Sequence, residues 1–498
     1  MPQLSKKYLP LLILFLFSVP LFFINIQTVH PWGDDFAQYI KEAQNISQGR
    51  PFYQSGYIFN KYNPVYAPPQ YPPGFPLLLA PVVKFLGLSF RAMCCFNSFI
   101  AACLLFALFA FFRKQAGVVA SVCLAVLITY SGFMINIKAS VLADTSCLLF
   151  ITLYLTLRRS DTWPRKRIAW LVVFAAMAIL IRSQAVFLLV AEGLFLFLSF
   201  IISSVKERTV RVKNMLRPPS LYVIAGVLTF SLFLNKVVFP TPVSTAVFYS
   251  NFIQDALKGN VYIAIKGYTG YLLKTISGFF YYETYNSFFD AAIYFIQGMG
   301  LVFGITGFLI SISKRIAFDD VFFFIMCIVI ICYPVRDPRY FLPAVPILFY
   351  YCYATLKVLL AALPGLNPRM AAVLLTAIYL CVGFSYLKKS TKNAPAGCIP
   401  QQKDQVAFQY ITQHVGNHDI IVFTKPRALT LFTGKRCMNV AWQITPEMNK
   451  KIFDSLQVKY MLVLDGLDDG YFKTYLNKVQ HPLDSVRISE GYTLYSLR

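Results

Sequence analysis

Charged residues are scarce in this sequence. Asp, Glu, Lys and Arg account for 14% of the 498 residues, whereas about 25% is usual for a soluble protein. Histidine occurs only four times, and neither a CxxC pair nor a His-rich stretch gives the ligand spacing of a zinc site. The composition therefore excludes an ordinary soluble protein and argues against a structural zinc site.

Long hydrophobic runs take the place of the missing charges. Hydrophobic residues make up 57% of the chain and the mean hydropathy is +0.57. Between Leu9 and Leu387, apolar runs of about 18 to 22 residues recur, long enough to cross the hydrocarbon core of a bilayer. Because backbone polar groups in lipid must be satisfied within their own segment, these runs are predicted to be helices. The fold class predicted is an all-α polytopic membrane protein, with spans at residues 9–28, 91–112, 116–134, 140–157, 168–182, 185–204, 219–239, 292–313, 321–335, 341–361 and 369–387.

The placement of the basic residues predicts the orientation. The formal net charge is +24, but most of the excess lies in every second loop, as the positive-inside rule expects. The excess of basic residues therefore reflects the orientation of the chain in a plasma (inner) membrane. It is no sign that the protein binds nucleic acid. The N-terminus is predicted to be cytoplasmic, and about eleven spans then place the C-terminus outside. The first run lacks a cleavage site, so it is predicted to remain as an anchor. The basic loops contain Arg113 and Lys114, then Arg158, Arg159, Arg165, Lys166 and Arg167, then Lys206, Arg208, Arg211, Lys213 and Arg217, then Lys314 and Arg315.

Two long outer segments and a tail complete the predicted organisation. Residues 1–390 form the membrane domain, with outer segments near 29–90 and 240–290 that are rich in Tyr, Phe, Gly and Pro. Such segments favour juxtamembrane helices at the bilayer interface. Residues 394–498 are predicted to form a small extracytoplasmic α/β domain. Its signals are a helical pattern over Gln402–Val415 and short apolar strands at Asp419–Thr424 and Tyr460–Asp465. Outside the cytosol, the tail cysteines Cys398 and Cys437 would be able to pair.

Acidic residues stand at two predicted helix starts on the outer side. Asp34 and Asp35 follow the first span in the sequence WGDDFAQY, and Asp144 stands near the start of the apolar run after residue 140. Helix N-capping, in which a carboxylate accepts backbone N–H bonds, is one explanation of these residues. The alternative is a functional site, because an ionisable group at a span boundary is otherwise costly.

Outer-side cations run against the charge trend of the short loops. Arg182 ends one span, and Arg336, Arg339 and Tyr340 lie between two later spans. Snorkelling of the long side chains to the interface is one explanation. The other is an anion site, because the rigid guanidinium fork suits phosphate oxygens.

In this order along the chain, the motifs resemble those of the GT-C superfamily of glycosyltransferases. The resemblance rests on one span, an Asp-Asp pair followed by Tyr39, the YPP-x-x-P-LLLAP segment from Tyr71, an outer Asp144, and the Arg-Tyr-x-x-Pro-x-x-Pro motif from Arg339. It is similar to the branch of protein O-mannosyltransferases and aminoarabinose transferases, glycosyltransferase family 39-like. The tail segment from Lys425 to Lys435 also resembles an outer domain that bacterial members append.

The resemblance implies inverting transfer of a sugar from a polyprenyl-phosphate donor to a hydroxyl or amine of a lipid, glycan or protein. Family members carry the catalytic Asp four residues before a Tyr, so Asp35 is favoured over Asp34 as the base, with Tyr39 nearby. Asp144 is implied to orient the acceptor or, with Asp35, to hold a divalent metal ion. Tyr71 stands where aminoarabinose transferases carry a phosphate-binding Lys, which argues against aminoarabinose as the donor sugar.

The donor phosphate is expected to meet positive charge on the outer side. The implied phosphate-binding residues are Arg182, Arg336, Arg339 and Tyr340, with Tyr39 and Tyr71 in the acceptor or donor pocket.

Two other classes of protein remain open at this point. A transporter or lipid flippase is expected to show inverted repeats and charges at the membrane midplane, whereas the sequence shows no repeat and its candidate polar residues cluster at outer span ends. A non-catalytic scaffold is expected to keep its activity after Asp35→Asn.

Overall fold

The computed structural model describes residues 2–60, 68–160, 162–207, 219–240, 261–281, 287–332, 337–362, 367–390, 398–441, 444–467 and 469–498. The first half is helical. It contains α1 (Pro2–Ser18), α2 (Asp35–Ser47), α3 (Gly74–Leu86), α4 (Phe90–Thr129), α5 (Gly132–Ala139), α6 (Asp144–Arg158), α7 (Arg165–Ile181), α8 (Phe187–Glu207) and α9 (Pro219–Phe233). Short 3-10 turns follow α1 (Val19–Phe22) and α7 (Ser183–Val186), and a π-helical turn (Leu234–Val238) follows α9.

The second half of the membrane region is also helical. It contains α10 (Val261–Gly278), α11 (Ser287–Lys314), α12 (Phe318–Cys332), a 3-10 segment (Pro338–Ala344), α13 (Val345–Ala361) and α14 (Pro368–Ser390). Large apolar side chains such as Phe295, Val302 and Leu309 on α11 are exposed. Exposed apolar surface on this scale is expected for helices that face lipid.

Within the described ranges, five helical stretches are long and apolar enough to cross a bilayer, and a sixth is added if α5 and α6, bent by 119°, form one broken span. The structure therefore supports a polytopic membrane protein, and the larger number of spans stays a prediction. The five stretches are Phe90–Thr129, Ser183–Val205, Pro219–Val238, Asp290–Lys314 and Pro338–Ala361.

Helix α4 contains a break at a position that the charges did not predict. A straight helix of its 40 residues would be about 60 Å long, twice the thickness of a hydrocarbon core. The helix is interrupted at Gly117, which has a φ of 75°, a conformation that glycine adopts without a Cβ penalty. The sequence placed the break between spans 91–112 and 116–134. That position is wrong, because Arg113 and Lys114 are still helical.

The region after residue 398 is an α/β structure. Its helices are α15 (Gln402–His414), α16 (Pro426–Thr433), α17 (Pro446–Ser455) and α18 (Asp469–Lys478). Its strands are β3 (Cys398–Ile399), β4 (Ile420–Val422), β5 (Arg436–Met438), β6 (Tyr460–Leu464), β7 (Asp484–Ser489) and β8 (Tyr492–Ser496). We call residues 398–498 the C-terminal module. The helix and the two strands that the sequence predicted here are present as α15, β4 and β6.

Two short strands of the first outer segment join this module. β1 (His30–Pro31) pairs antiparallel with β3, and β2 (Tyr57–Ile58) pairs parallel with β5. The resulting six-stranded sheet has the order β2-β5-β4-β6-β8-β7. The module is therefore joined by backbone hydrogen bonds to the segment that carries Asp34 and Asp35.

The pairing considered for the tail cysteines is not formed. Cys398 and Cys437 are buried free thiols. They lie in different sheets, because Cys398 belongs to the β1–β3 pair and Cys437 to β5.

Buried charges also lie at the end of α6 remote from Asp144. Arg158 forms an ion pair of 2.6 Å with Glu192 on α8, whose side chain is fully buried. Arg159 forms one of 2.5 Å with Asp319 on α12. The Tyr154 hydroxyl donates to the same Glu192 carboxylate. Since a buried charge is tolerated when it is paired, these contacts fix α6 against two neighbouring helices.

Candidate functional site

The two adjacent carboxylates at the start of α2 point to different partners. Asp34 precedes the helix and Asp35 is its first residue, and adjacent helical side chains diverge by about 100°. Asp34 makes no capping hydrogen bond, so the N-cap explanation is wrong for this residue. Its Oδ1 instead accepts the backbone N–H of Ala428, at 3.3 Å, in the C-terminal module.

Asp35 lies between an aromatic hydroxyl and an arginine. Its Oδ1 accepts the Tyr71 hydroxyl at 2.6 Å. Its Oδ2 is 3.5 Å from both terminal nitrogens of Arg339. One third of the Asp35 side chain is exposed, against 12% for Asp34. Asp35 is therefore the more accessible carboxylate of the pair.

Asp144 is held by arginines. Its side chain is fully buried, with Oδ1 2.6 Å from Nη1 of Arg182 and Oδ2 3.9 Å from Nη1 of Arg339. The N-cap position of α6 belongs to Ala143, so N-capping does not explain Asp144. Snorkelling does not explain Arg182, whose side chain is only 13% exposed.

Arg339 connects the two acidic positions. It lies in the 3-10 segment before α13, where Asp337 accepts its Nε at 2.6 Å and its backbone N–H at 2.9 Å. The Arg182 guanidinium lies 5.7 Å from the centre of the adjacent Tyr340 ring, a cation–π distance. Arg336, predicted from the same motif, lies outside the described residues.

Two local contacts bring these segments together. At Gly74, which begins α3, an added Cβ would lie 2.7 Å from the carbonyl of Leu180 in α7, so only glycine allows this approach. It brings the start of α3, which follows Tyr71, against the end of α7, which precedes Arg182. On the other side, the ring of His30 accepts the Val141 N–H at Nε2, 3.1 Å away, and so ties the first outer segment to the turn before Asp144.

Tyr39 and Tyr71, the two tyrosines predicted to belong to the site, pack against each other. Their rings are stacked, with centroids 4.5 Å apart, and the Phe75 ring meets Tyr39 edge-on at 5.0 Å. Tyr39 is almost fully buried. Tyr71 therefore contacts Asp35 directly, whereas Tyr39 supports the ring that does so.

Sequence reasoning missed Arg427 and Gln38. Arg427, at the start of α16, is 3.7 Å from Asp34 through Nε and 3.8 Å from Asp35 through Nη1. The same Nη1 donates to Oε1 of Gln38 at 2.7 Å and to the Tyr71 hydroxyl at 3.0 Å. The available signal was the Lys-Pro-Arg sequence at 425–427, which resembled a family segment without indicating a contact with the first outer segment.

The environment separates the acidities of the two adjacent carboxyls. Burial raises the pKa of Asp34 from 3.8 to about 6, against the attraction of Arg427. Burial acts on Asp35 in the same direction, but Arg427, Arg339 and the Tyr71 hydrogen bond outweigh it and lower its pKa. Burial also raises the pKa of Glu42, one helical turn after Gln38, to about 8. Asp35 therefore stays ionised over a wider pH range than Asp34 or Glu42.

A divalent metal ion at Asp35 and Asp144 stays a prediction. Within the part of the chain that the structure describes, no group of three or more His, Cys, Asp or Glu side chains is placed to hold a metal ion. Both carboxylates face arginines, whose guanidinium groups neutralise them without a metal ion.

Of the comparisons with known proteins, only the one with solved structures gives a match. No protein-family model and no curated protein sequence matches the chain. The structure of ArnT from Cupriavidus metallidurans bound to undecaprenyl phosphate aligns with a TM-score of 0.56 at 12% identity, over 98% of both chains. The apo oligosaccharyltransferase of Archaeoglobus fulgidus aligns with a TM-score of 0.60 at 13% identity, over 94% of this chain and 71% of that one.

A second structure from the same archaeon is also similar. Oligosaccharyltransferase AglB, in complex with an inhibitory peptide and a dolichol-phosphate, aligns with a TM-score of 0.55 at 13% identity, over 92% of this chain and 69% of that one. On these likenesses, the chain shares its fold with ArnT and with oligosaccharyltransferase AglB.

Proposed function

We propose that the chain is an inverting glycosyltransferase. It transfers a sugar from a polyprenyl-phosphate donor to a hydroxyl or amine at the outer face of the membrane. The observation that carries the proposal is the meeting of Asp35, Asp144 and Arg339, from three separate segments, in one network of ion pairs. The similar structures contain undecaprenyl phosphate and a dolichol-phosphate, which are lipid phosphates of the proposed donor class.

Asp35 is the general base. It is ionised at neutral pH and is the most exposed of the three predicted acids. A carboxylate with a low pKa accepts a proton from an acceptor hydroxyl as the new bond forms, because the oxygen becomes acidic in the transition state. Asp144 is fully buried, so its role is to hold Arg182 and Arg339 and not to contact the acceptor.

Arg339 is the main contact of the donor phosphate. Its terminal nitrogens lie 3.5 Å or more from the carboxylates of Asp35 and Asp144, whereas Arg182 is held by Asp144 at 2.6 Å. The terminal nitrogens of Arg339 can therefore engage a phosphate oxygen while its Nε keeps the 2.6 Å pair with Asp337. Its fork suits a phosphate in bidentate geometry.

An apolar groove beside the Arg339 segment fits the isoprenoid chain of such a donor. Helices α10 to α13 line it, with Leu272, Ile276, Phe308, Phe323, Cys327 and Leu348 among its walls. Phe323 in this groove contacts the ring of Phe341 at 5.7 Å, two residues after Arg339. A lipid held by its phosphate at Arg339 would thus have an apolar path next to its head group.

The reaction balances without an additional reactant. The acceptor oxygen or nitrogen forms a bond to the anomeric carbon, and the bond between that carbon and the phosphate oxygen breaks. The electron pair leaves with the polyprenyl phosphate, where Arg339 and Arg182 meet the developing charge. The acceptor proton passes to Asp35, and attack from the face opposite the phosphate inverts the configuration.

The test is transfer of labelled sugar from polyprenyl-phosphate donors in membranes that contain the wild type or Asp35→Asn. Removal of a general base is expected to lower the rate by about 10²- to 10⁴-fold at unchanged expression. Asp465→Asn, on a half-exposed residue of the C-terminal module, serves as the control and keeps the wild-type rate. Equal transfer by wild type and Asp35→Asn contradicts the proposal. Movement of intact lipid-linked sugar without transfer favours the flippase instead.

A further inference from the structure

The C-terminal module places one fully buried arginine inside the site. The Arg427 side chain is 1% exposed, although its charge is costly to bury without partners. Its Nη1 donates to Gln38 and Tyr71, and the guanidinium faces Asp34 and Asp35 at 3.7 and 3.8 Å. These four partners belong to the first outer segment, whereas Arg427 belongs to the C-terminal module.

The approach of the module to this segment is fixed by backbone contacts. β2 pairs with β5 immediately after Gly56, and Cys437 donates its N–H to the Gly56 carbonyl at 3.2 Å. Gly56 has a φ of +83°, and an added Cβ there would lie 2.8 Å from Cγ2 of Thr430 on α16. Helix α16, which begins at Pro426, is therefore held close against the outer segment.

The hydrogen bonds around Tyr71 have a defined direction. Arginine has no acceptor, so the Tyr71 oxygen must accept from Arg427. The phenolic proton is then available to Oδ1 of Asp35, which it reaches at 2.6 Å. Burial raises the pKa of Tyr71 well above 10, so this hydroxyl keeps its proton. Oδ1 of Asp35 consequently keeps this short hydrogen bond. Oδ2 has the longer contacts with Arg339, at 3.5 Å, so it is the oxygen that can accept a substrate proton once the donor phosphate engages Arg339.

We propose that Arg427 is a positioning residue that orients the Tyr71 hydroxyl and thereby selects Oδ2 of Asp35 as the base, so that docking of the C-terminal module completes the site. The inference rests on the proposed transferase function. It assigns to the module a role in the chemistry that is distinct from choosing the acceptor or covering the site.

Substitution of Arg427 tests the proposal in the purified full-length protein, with a polyprenyl-phosphate sugar as donor and kcat measured as a function of pH. Loss of a hydrogen bond to a charged group corresponds to about 1.5–3 kcal/mol, so Arg427→Met is expected to lower kcat by about 10- to 100-fold. The donor KM is expected to stay near the wild-type value. The acid limb of the profile moves to higher pH, because Arg427 lowers the pKa of Asp35.

Two further variants and a control separate positioning from structure. Arg427→Lys keeps the charge and is expected to return the acid limb to the wild-type position while restoring only part of kcat. Tyr71→Phe keeps the ring and removes the hydroxyl, so it is expected to lower kcat with little effect on folding. Arg436→Met, on an exposed arginine of β5, is the control and is expected to match the wild type.

The outcomes distinguish this role from the proposed function. A wild-type protein without transfer activity overturns both. An active wild type whose pH profile is unchanged in Arg427→Met overturns the role of Arg427 alone, as does an unchanged kcat. If Arg427→Met does not fold, the decision falls to Tyr71→Phe, and a wild-type kcat in that variant overturns the proposal.

Discussion

The buried pair of Asp144 and Arg182 gives the most quantitative prediction for stability. Their contact is 2.6 Å long, and their side chains are 0% and 13% exposed. Removing one partner of a buried ion pair costs about 3–5 kcal/mol, because the other charge stays buried without compensation. Asp144→Asn keeps the shape of the side chain and one oxygen acceptor, so we expect the free energy of unfolding to fall by about 3 kcal/mol, near the lower limit.

The assay uses a reporter on the same helix. Cys147, one turn after Asp144, is a buried free thiol. In a background in which Cys147 is the one cysteine retained, a thiol-reactive dye follows its exposure as the purified protein is heated in detergent. The double variant Asp144→Asn with Arg182→Met completes a thermodynamic cycle with the two single variants. We expect it to be more stable than the sum of the single effects by at least about 1 kcal/mol. Additive effects, or a wild-type melting temperature in Asp144→Asn, would refute the reasoning.

Three further predictions concern packing and buried charge. Glu42 has a pKa raised from 4.5 to about 8 by burial, so its contribution to stability decreases as the pH rises from about 4.5 to about 8. The difference in melting temperature between wild type and Glu42→Gln is therefore expected to fall across that range, and a constant difference contradicts the assigned pKa. Gly74→Ala introduces a Cβ 2.7 Å from backbone atoms of α7, so we expect a loss of about 1–3 kcal/mol, measured against Gly193→Ala. The control is expected to lose no stability, because nothing lies within 4 Å of an added Cβ at Gly193 and Ala is favoured over Gly inside a helix. Glu192→Gln breaks the ion pair with Arg158, so we expect the melting temperature to fall while the donor KM stays unchanged. A higher donor KM would contradict this and would show that the two ends of α6 are coupled.

The sequence predicted the part of the site that motifs and membrane sidedness define. Asp144, Arg182 and Arg339 stand at or near predicted span boundaries, where charges are costly, and Asp35 begins a helix of the first outer segment. Their order along the chain resembled a family. The structure brings these four together through ion pairs. The structure also shows that Asp35 is more exposed and more acidic than Asp34. Composition does not predict this difference, because it depends on residues from other segments of the chain.

The other features of the site and fold were not predicted, because they depend on contacts between distant residues that produce no recognisable local sequence pattern. Gln38 and Arg427 are 389 residues apart, and strand β2 contains only two residues, too few for a period to be recognised. The sequence predicted a loop at the basic pair Arg113 and Lys114. The break in α4 lies a few residues later, at Gly117, because the positive φ of this glycine interrupts the helix.

Binding of the lipid phosphate tests the central claim most directly. The apparent affinity for a polyprenyl phosphate is measured on the purified wild type, on Arg339→Ala and on Arg369→Ala, which removes an exposed arginine at the start of α14. If the phosphate occupies the site between Asp35 and Asp144, Arg339→Ala weakens binding by about 10- to 100-fold, and Arg369→Ala does not change it. Equal affinity in all three proteins would contradict the account, because the charged network would then have no part in holding the donor.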